Sequence, residues 1–202
     1  MCGFAGFVGE VENREQVLEN MIDTIIHRGP DSSGKFVDED AALGFRRLSI
    51  IDLSESGDQP LYNEDRSKVL LFNGEIYNYQ ELREELIQAG HTFVSNTDSE
   101  TLIHGYEQWG EELVYRLRGM YAFAIWDQKA KRLFSARDIF GIKPLYYAQM
   151  NGTLMFGSEI KSFLEHPKFD KVFNEDALGN YLSFQFVPTN ETFFKGVFCV
   201  QP

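Results

Sequence analysis

The residues best equipped for chemistry stand at the start of the chain, Met1-Cys2-Gly3. Initiator methionine is routinely removed before a small residue, which would leave Cys2 first. A terminal cysteine carries a thiol and a free α-amine on one residue, with ordinary pKa values of about 8.5 and about 7.7–8.0. Part of the amine is neutral near pH 7 and can accept the proton of the adjacent thiol, the logic of an N-terminal nucleophile. Taken alone, the dipeptide reads more readily as a chain start with a small buried residue.

A second group lies in Asn73-Gly-Glu-Ile-Tyr-Asn78. Asn-Gly after a strand is a hairpin signal by itself. Beside a nucleophilic cysteine it has another use: the Asn73 side-chain amide and the Gly74 N–H can converge on one oxyanion. Arg47 ends an apolar run beside Arg46 and alone reads as a surface guanidinium. Asp98 follows Thr97 at a helix start, where Thr97 can cap the helix and leave the carboxylate free. His27, His91, His104 and His166 could each partner a cysteine, but no spacing selects one. No His, Cys and carboxylate cluster has metal-ligand spacing, so no metal is expected. Gly29-Pro-Asp-Ser-Ser-Gly-Lys35-Phe36 fails as a phosphate loop. Phe36 replaces the magnesium-touching hydroxyl, Pro30 removes a donor, and Asp31 repels phosphate, so a structured turn is expected there.

These residues need elements to hold them. Gly3–Val8 alternates small and bulky apolar residues and reads as a buried strand. Residues 14–26 place Val17, Leu18, Met21, Ile22, Ile25 and Ile26 on one helical face. Strands are expected at 41–47, 69–73, 121–126, 132–136, 145–149 and 153–157, and helices from Asn78 to Gly90, from Thr97 through Tyr106, and near 159–165 and 175–183. The late strands lie too close together for helical crossovers, so the sheets should be antiparallel with helices packed outside, an α+β architecture.

At 202 residues, 43% hydrophobic and 25% charged, the composition is globular. A formal net charge of −12 argues against nucleic acid or an anionic membrane as partner. No stretch approaches a membrane span and no signal peptide is evident, so a reducing cytoplasm is expected, with Cys2 and Cys199 as free thiols.

Read together, Met1-Cys2-Gly3-Phe-Ala-Gly, His27-Arg-Gly-Pro-Asp31, Arg47-Leu-Ser-Ile-Ile-Asp52, Asn73-Gly-Glu-Ile-Tyr-Asn78 and Thr97-Asp98 closely resemble the glutaminase domain of glutamine-hydrolysing asparagine synthetases. Arg137-Asp-Ile-Phe-Gly-Ile-Lys-Pro-Leu-Tyr-Tyr147, Gly157-Ser-Glu-Ile-Lys161 and Ser183-Phe-Gln-Phe-Val-Pro188 extend the match almost to the end. The resemblance implies a class II glutamine amidotransferase with the N-terminal-nucleophile fold, a four-layer αββα sandwich of two stacked antiparallel sheets. It makes Cys2 the nucleophile on the glutamine side-chain amide, through a γ-glutamyl thioester, and Asn73 and Gly74 the oxyanion hole. It gives Arg47 to the substrate α-carboxylate, Asp98 with Glu75 to the α-ammonium, and Leu48, Ser49, Ile50 and Ile51 to the pocket wall. The motif around Arg137 and Asp138 has no catalytic part and reads as framework.

The resemblance also implies limits. Residues 1–190 correspond to the amidotransferase domain and 191–202 to the start of a linker. No Ser-Gly-Gly-x-Asp-Ser loop occurs, so ATP and magnesium belong to a C-terminal synthetase domain outside this chain, and no cofactor is expected here. Expected partners are L-glutamine and that domain, with a homodimer left open. The glutaminase part of another amidotransferase, or of a sister ligase, is the nearest alternative. A non-catalytic glutamine-binding module is another, and retention of Met1 would favour it.

Overall fold

Small residues alternate with phenylalanine along Gly3–Val8 because this strand, β1, is buried on both faces at the middle of a sheet. In the computed structural model, which describes residues 1–48 and 57–202, β1 pairs antiparallel with Ala41–Arg47 (β3) on one side and Thr153–Gly157 (β9) on the other. Ser32–Val37 (β2), Tyr146–Met150 (β8) and Val197–Cys199 (β10) complete the sheet in the order β10-β8-β9-β1-β3-β2. A second antiparallel sheet has the order β4-β5-β6-β7, from Leu61–Tyr62, Lys68–Ile76, Gly119–Asp127 and Arg132–Arg137.

The period-2 alternation of each central strand builds two cores at once. Phe4, Leu43 and Phe45 from the first sheet meet Val69, Leu71 and Trp126 from the second, forming the layer between the sheets. Ala5, Phe7 and Ala42, one residue out of step, face Leu18, Met21 and Ile22 of helix α1 (Arg14–Asp23). Leu70, Phe72 and Phe123 face Leu82 of helix α2 (Tyr79–Gln88) and Leu102 and Ile103 of helix α3 (Asp98–Trp109). Helices therefore cover the outer face of each sheet, giving the four layers expected. Helix α4 (Glu175–Phe184) is different: it buries Ala177 and leaves Leu178, Tyr181, Leu182 and Phe184 exposed.

Several elements depart from the sequence reading. The turn expected at 29–36 is largely strand β2, whose burial alternates because it is the sheet's edge. The helix expected through Ile26 ends at Asp23, and Ile26–Arg28 forms a 3-10 turn in front of Pro30. The helix near 159–165 is a 3-10 turn, Ile160–Glu165. Within 191–202, β10 hydrogen-bonds to β8.

Candidate active site

Cys2 precedes β1 and packs, half buried, against the core between the sheets. The Leu48 N–H donates to Cys2 Sγ at 3.4 Å, and the thiol faces the Leu48 carbonyl at 3.6 Å. Arg28 Nε donates to the Cys2 carbonyl at 3.0 Å, and Arg28 Nη1 pairs with Glu159 at 3.0 Å. Gly3 makes this reach feasible, since a Cβ there would lie 2.7 Å from Arg28 Cδ. Burial pushes the Glu159 carboxyl up, but Arg28, Lys161 and His27 outweigh it and the net shift is downward. With Met1 in place the Cys2 nitrogen is an amide, and Lys143 Nζ donates to the Met1 thioether at 3.0 Å.

Asn73 lies two residues beyond Leu71 on β5, and its antiparallel partner is Ala122, so it faces the space between the sheets. It is 3% exposed, and its Nδ2 has no hydrogen-bond acceptor among the described residues. A buried donor left open costs about 1–3 kcal/mol, so its retention asks for a reason. Gly74 packs against β6 so tightly that a Cβ would stand 2.3 Å from the Met120 carbonyl oxygen. Glu75 is exposed. Asp98 opens α3, and its Oδ2 accepts the Ile76 N–H at 2.8 Å. Burial raises the Asp98 pKa, with Glu75 adding to the rise, and the N–H groups of Ile76, Asp98 and Ser99 only partly offset it.

Arg47 is 7% exposed at the end of β3, and its Nη1 pairs with Asp58 at 2.8 Å. Gly57 packs against that guanidinium. Asp58 also accepts from Ser32 Oγ at 3.0 Å, and neighbouring Gln59 bonds both the N–H and the carbonyl of Phe72, at 2.6 and 3.0 Å.

A path of bonds and covalent neighbours thus runs from Cys2 through Leu48, Arg47, Asp58, Gln59, Phe72 and Asn73, then along β5 through Gly74 and Glu75 to Ile76, and from there to Asp98. It draws together Cys2, Arg47, Leu48, Asn73, Gly74, Glu75 and Asp98 from strands of both sheets and the start of α3. Ser49, Ile50 and Ile51 lie outside the described residues. Arg28, Asp58, Glu159 and Lys143 were not singled out from sequence. Three of them did sit inside motifs: Arg28 in His27–Asp31, Glu159 in Gly157–Lys161 and Lys143 in Arg137–Tyr147.

Asp138 is fully buried and receives the N–H groups of Tyr121, Phe140, Ile142 and Lys143, at 2.9 to 3.2 Å. That carboxylate ties the turn after β7 to β6, next to Ala122, the strand partner of Asn73.

A sequence profile described as the glutamine amidotransferase domain matches residues 1–202. Glutamine-hydrolysing asparagine synthetase 1 of Bacillus subtilis is 47% identical over 207 residues, covering 100% of this chain and 32% of that enzyme. The glutamine-hydrolysing asparagine synthetase of Zea mays is 44% identical over 167 residues, covering 80% of this chain and 28% of that protein. The chain therefore spans about a third or less of the length of these relatives. Among solved structures, the glutamine phosphoribosylpyrophosphate amidotransferase of B. subtilis superposes with a TM-score of 0.69 at 23% identity, over 80% of this chain and 43% of that one. The two chains share the architecture of an α+β sandwich with two stacked antiparallel sheets. The chain belongs to the glutamine amidotransferase domain family.

Proposed function

We propose that the chain hydrolyses the side-chain amide of L-glutamine to glutamate and ammonia, and that the ammonia serves a synthetase domain making asparagine. The observation that carries this reading is the buried, open Nδ2 of Asn73 on the inter-sheet face against which Cys2 also packs. An open donor there suits an oxyanion that exists only during reaction.

Once Met1 is removed, the α-amine of Cys2 takes the thiol proton and Sγ attacks the amide carbon. Asn73 Nδ2 and the Gly74 N–H receive the developing oxyanion. The protonated amine gives its proton to the leaving nitrogen, and ammonia departs from a γ-glutamyl thioester. The amine then deprotonates a water, which attacks the thioester, and glutamate leaves as the thiol is restored. Arg47 pairs with the substrate α-carboxylate, a task suited to a planar guanidinium, and Asp98 with Glu75 holds the α-ammonium. No metal or cofactor enters these steps.

A downstream domain is supported by the length of the relatives and by the exposed apolar face of α4. ATP and magnesium would act in that domain, and the cytoplasm is the proposed setting. Among the described residues no helix is long and apolar enough to cross a membrane.

The test is ammonia release from glutamine by protein whose intact mass lacks Met1, compared with Cys2→Ala. Loss of at least about a thousandfold in the variant is expected for a covalent nucleophile; equal rates would sink the assignment. A second reading, binding without turnover, applies to protein that keeps Met1, in which the Cys2 nitrogen is an amide and cannot act as the base. It predicts glutamine binding but no ammonia from protein whose mass includes Met1.

A further inference from the structure

Away from Cys2, side chains from three separate stretches of chain meet beside α3. They are Glu64 before β5, His91 just past α2, and His104 and Glu107 one turn apart on α3. Each offers one ligand atom, and all four atoms lie within 4.8 Å of one another. His104 Nδ1 is 3.1 Å from Glu107 Oε2 and 3.7 Å from Glu64 Oε1, and His91 Nδ1 is 3.9 Å from the same Glu107 oxygen. Around a tetrahedral ion with bonds of about 2.0–2.2 Å, neighbouring ligand atoms stand roughly 3.3–3.5 Å apart. The observed separations bracket that spacing, and the exposed Glu64 is free to close the remainder.

The surroundings prepare these donors. His104 is 2% exposed, and its Nε2 has no hydrogen-bond partner but faces Glu100 Oε1 at 3.6 Å. Glu100 is itself fixed by the N–H groups of Val94 and Ser95 at 2.7 Å and by Ser95 Oγ at 2.6 Å. His91 Nε2 faces Gln108 Oε1 at 3.1 Å. The Gln108 oxygen holds the His91 proton on Nε2 and aims its Nδ1 lone pair into the cluster. His104 in the ion-free chain instead donates through Nδ1 to Glu107, a proton that the ion would displace, with Glu100 placed to receive it at Nε2. Glu107 Oε1 accepts from buried Asn63 Nδ2 at 2.7 Å, leaving Oε2 for the cluster.

We propose that Glu64, His91, His104 and Glu107 bind a divalent transition cation, Zn2+ being the best fit. Two imidazoles and two carboxylates suit zinc rather than calcium or magnesium, which prefer oxygen alone. Two carboxylates neutralise the ion, and four protein ligands leave no open position, the signature of a structural site. The ion would staple α3 to the turn before β5 and to the chain leaving α2. Because α3 begins at Asp98, the staple would also steady the helix that carries a proposed substrate contact. The sequence spacing does not reveal this site, since only His104 and Glu107 are close in the chain.

The experiment strips the purified chain with a chelator and titrates it with Zn2+ alone, against a chromogenic competitor. One equivalent should bind and raise the melting temperature. Co2+ in its place should give the intense visible bands of a tetrahedral ion, and X-ray absorption should find two imidazoles and no sulfur on the metal. Glu64→Gln and His91→Ala should each weaken Zn2+ binding at least about tenfold, since even outer partners of a metal ligand carry that much. Both positions are in connecting segments, and circular dichroism checks their folding; the ligation found for the wild-type protein decides the matter should either misfold. Folded protein that takes up no saturating Zn2+, with the His104 ring protonated on both nitrogens by NMR, would overturn the proposal in favour of an imidazolium held among carboxylates. Binding unchanged in both variants, or sulfur on the metal, would overturn it equally.

Discussion

At Asn73 a buried amide donor goes without an acceptor, and Asn73→Ala removes that group without stranding a partner on Nδ2. The variant should lose about 10²–10³ in kcat for ammonia release, with KM for glutamine little changed, because the oxyanion exists only in the transition state. Its melting temperature should hold or rise, an outcome a structural asparagine would not give. Asp98 makes the complementary case through substrate binding. Its pKa is raised chiefly by burial, and only the ionised carboxylate attracts an ammonium. KM should therefore climb as pH falls through that raised pKa. Asp98→Asn should raise KM at neutral pH by roughly ten- to a hundredfold, about 1.5–3 kcal/mol, and flatten the climb. Steady-state kinetics across pH checks both. Cys2, Asn73 and Asp98 could be named as candidates from the sequence because each belongs to a short run whose residue types fit the proposed chemistry. Arg28 and Asp58 could not. Arg28 reaches the Cys2 carbonyl from 26 residues away, and Asp58 meets Arg47 from 11 residues away, so only the folded backbone brings the partners together.

Among the elements, periodicity carried the central strands well, since β1 and β5 each present one residue set to the inter-sheet core and the next to a helix. It carried the edges poorly. Strand β2 contains Gly34, Lys35 and two serines, and becomes a strand only because β3 offers it a free edge. Strand β10 is three residues long and depends in the same way on β8. The 3-10 turn Ile160–Glu165 shows what composition hides, for it delivers His166 into the layer beneath α1. There His166 is 2% exposed, packs edge-on to Phe7 at 4.8 Å, and has no partner at Nε2. Burial, aided by Lys168, lowers its pKa from 6.5 to about 4. Between those values the unfolded chain binds a proton that the folded chain refuses, so stability falls as pH drops from 6.5 to about 4. The loss should reach about 3 kcal/mol, and His166→Phe should remove it. Urea titrations at pH 7 and pH 4.5 measure the difference.

Over the whole molecule, the layered packing leaves apolar side chains uncovered on the outer face of α4 and just beyond it, as it does in the turn after β7 at Ile139 and Phe140. Leu182 is 73% exposed, Phe184 58% and Phe186 59%. Apolar groups this exposed on one segment suit the contact with a downstream domain proposed above, and the relatives are about three times longer than this chain. Leu182→Ser with Phe186→Ser should bind less hydrophobic dye and aggregate less, while ammonia release stays within about twofold. Nothing in the helical period of residues 175–183 announced this, because an amphipathic pattern gives the width of an apolar stripe but not whether the same chain buries it.

The place of β1 has a practical reach. Flanked by β3 and β9, it holds residues 3–8 at the centre of a sheet, with Cys2 just ahead of it half buried and Met1 56% exposed. An aminopeptidase can grip the methionine, yet any purification handle fused ahead of it would leave the cysteine nitrogen acylated. Gln201 and Pro202, exposed beyond the edge strand β10, offer the gentler point of attachment. Whoever prepares this protein decides, before the first cell is grown, whether the Cys2 amine can ever be freed.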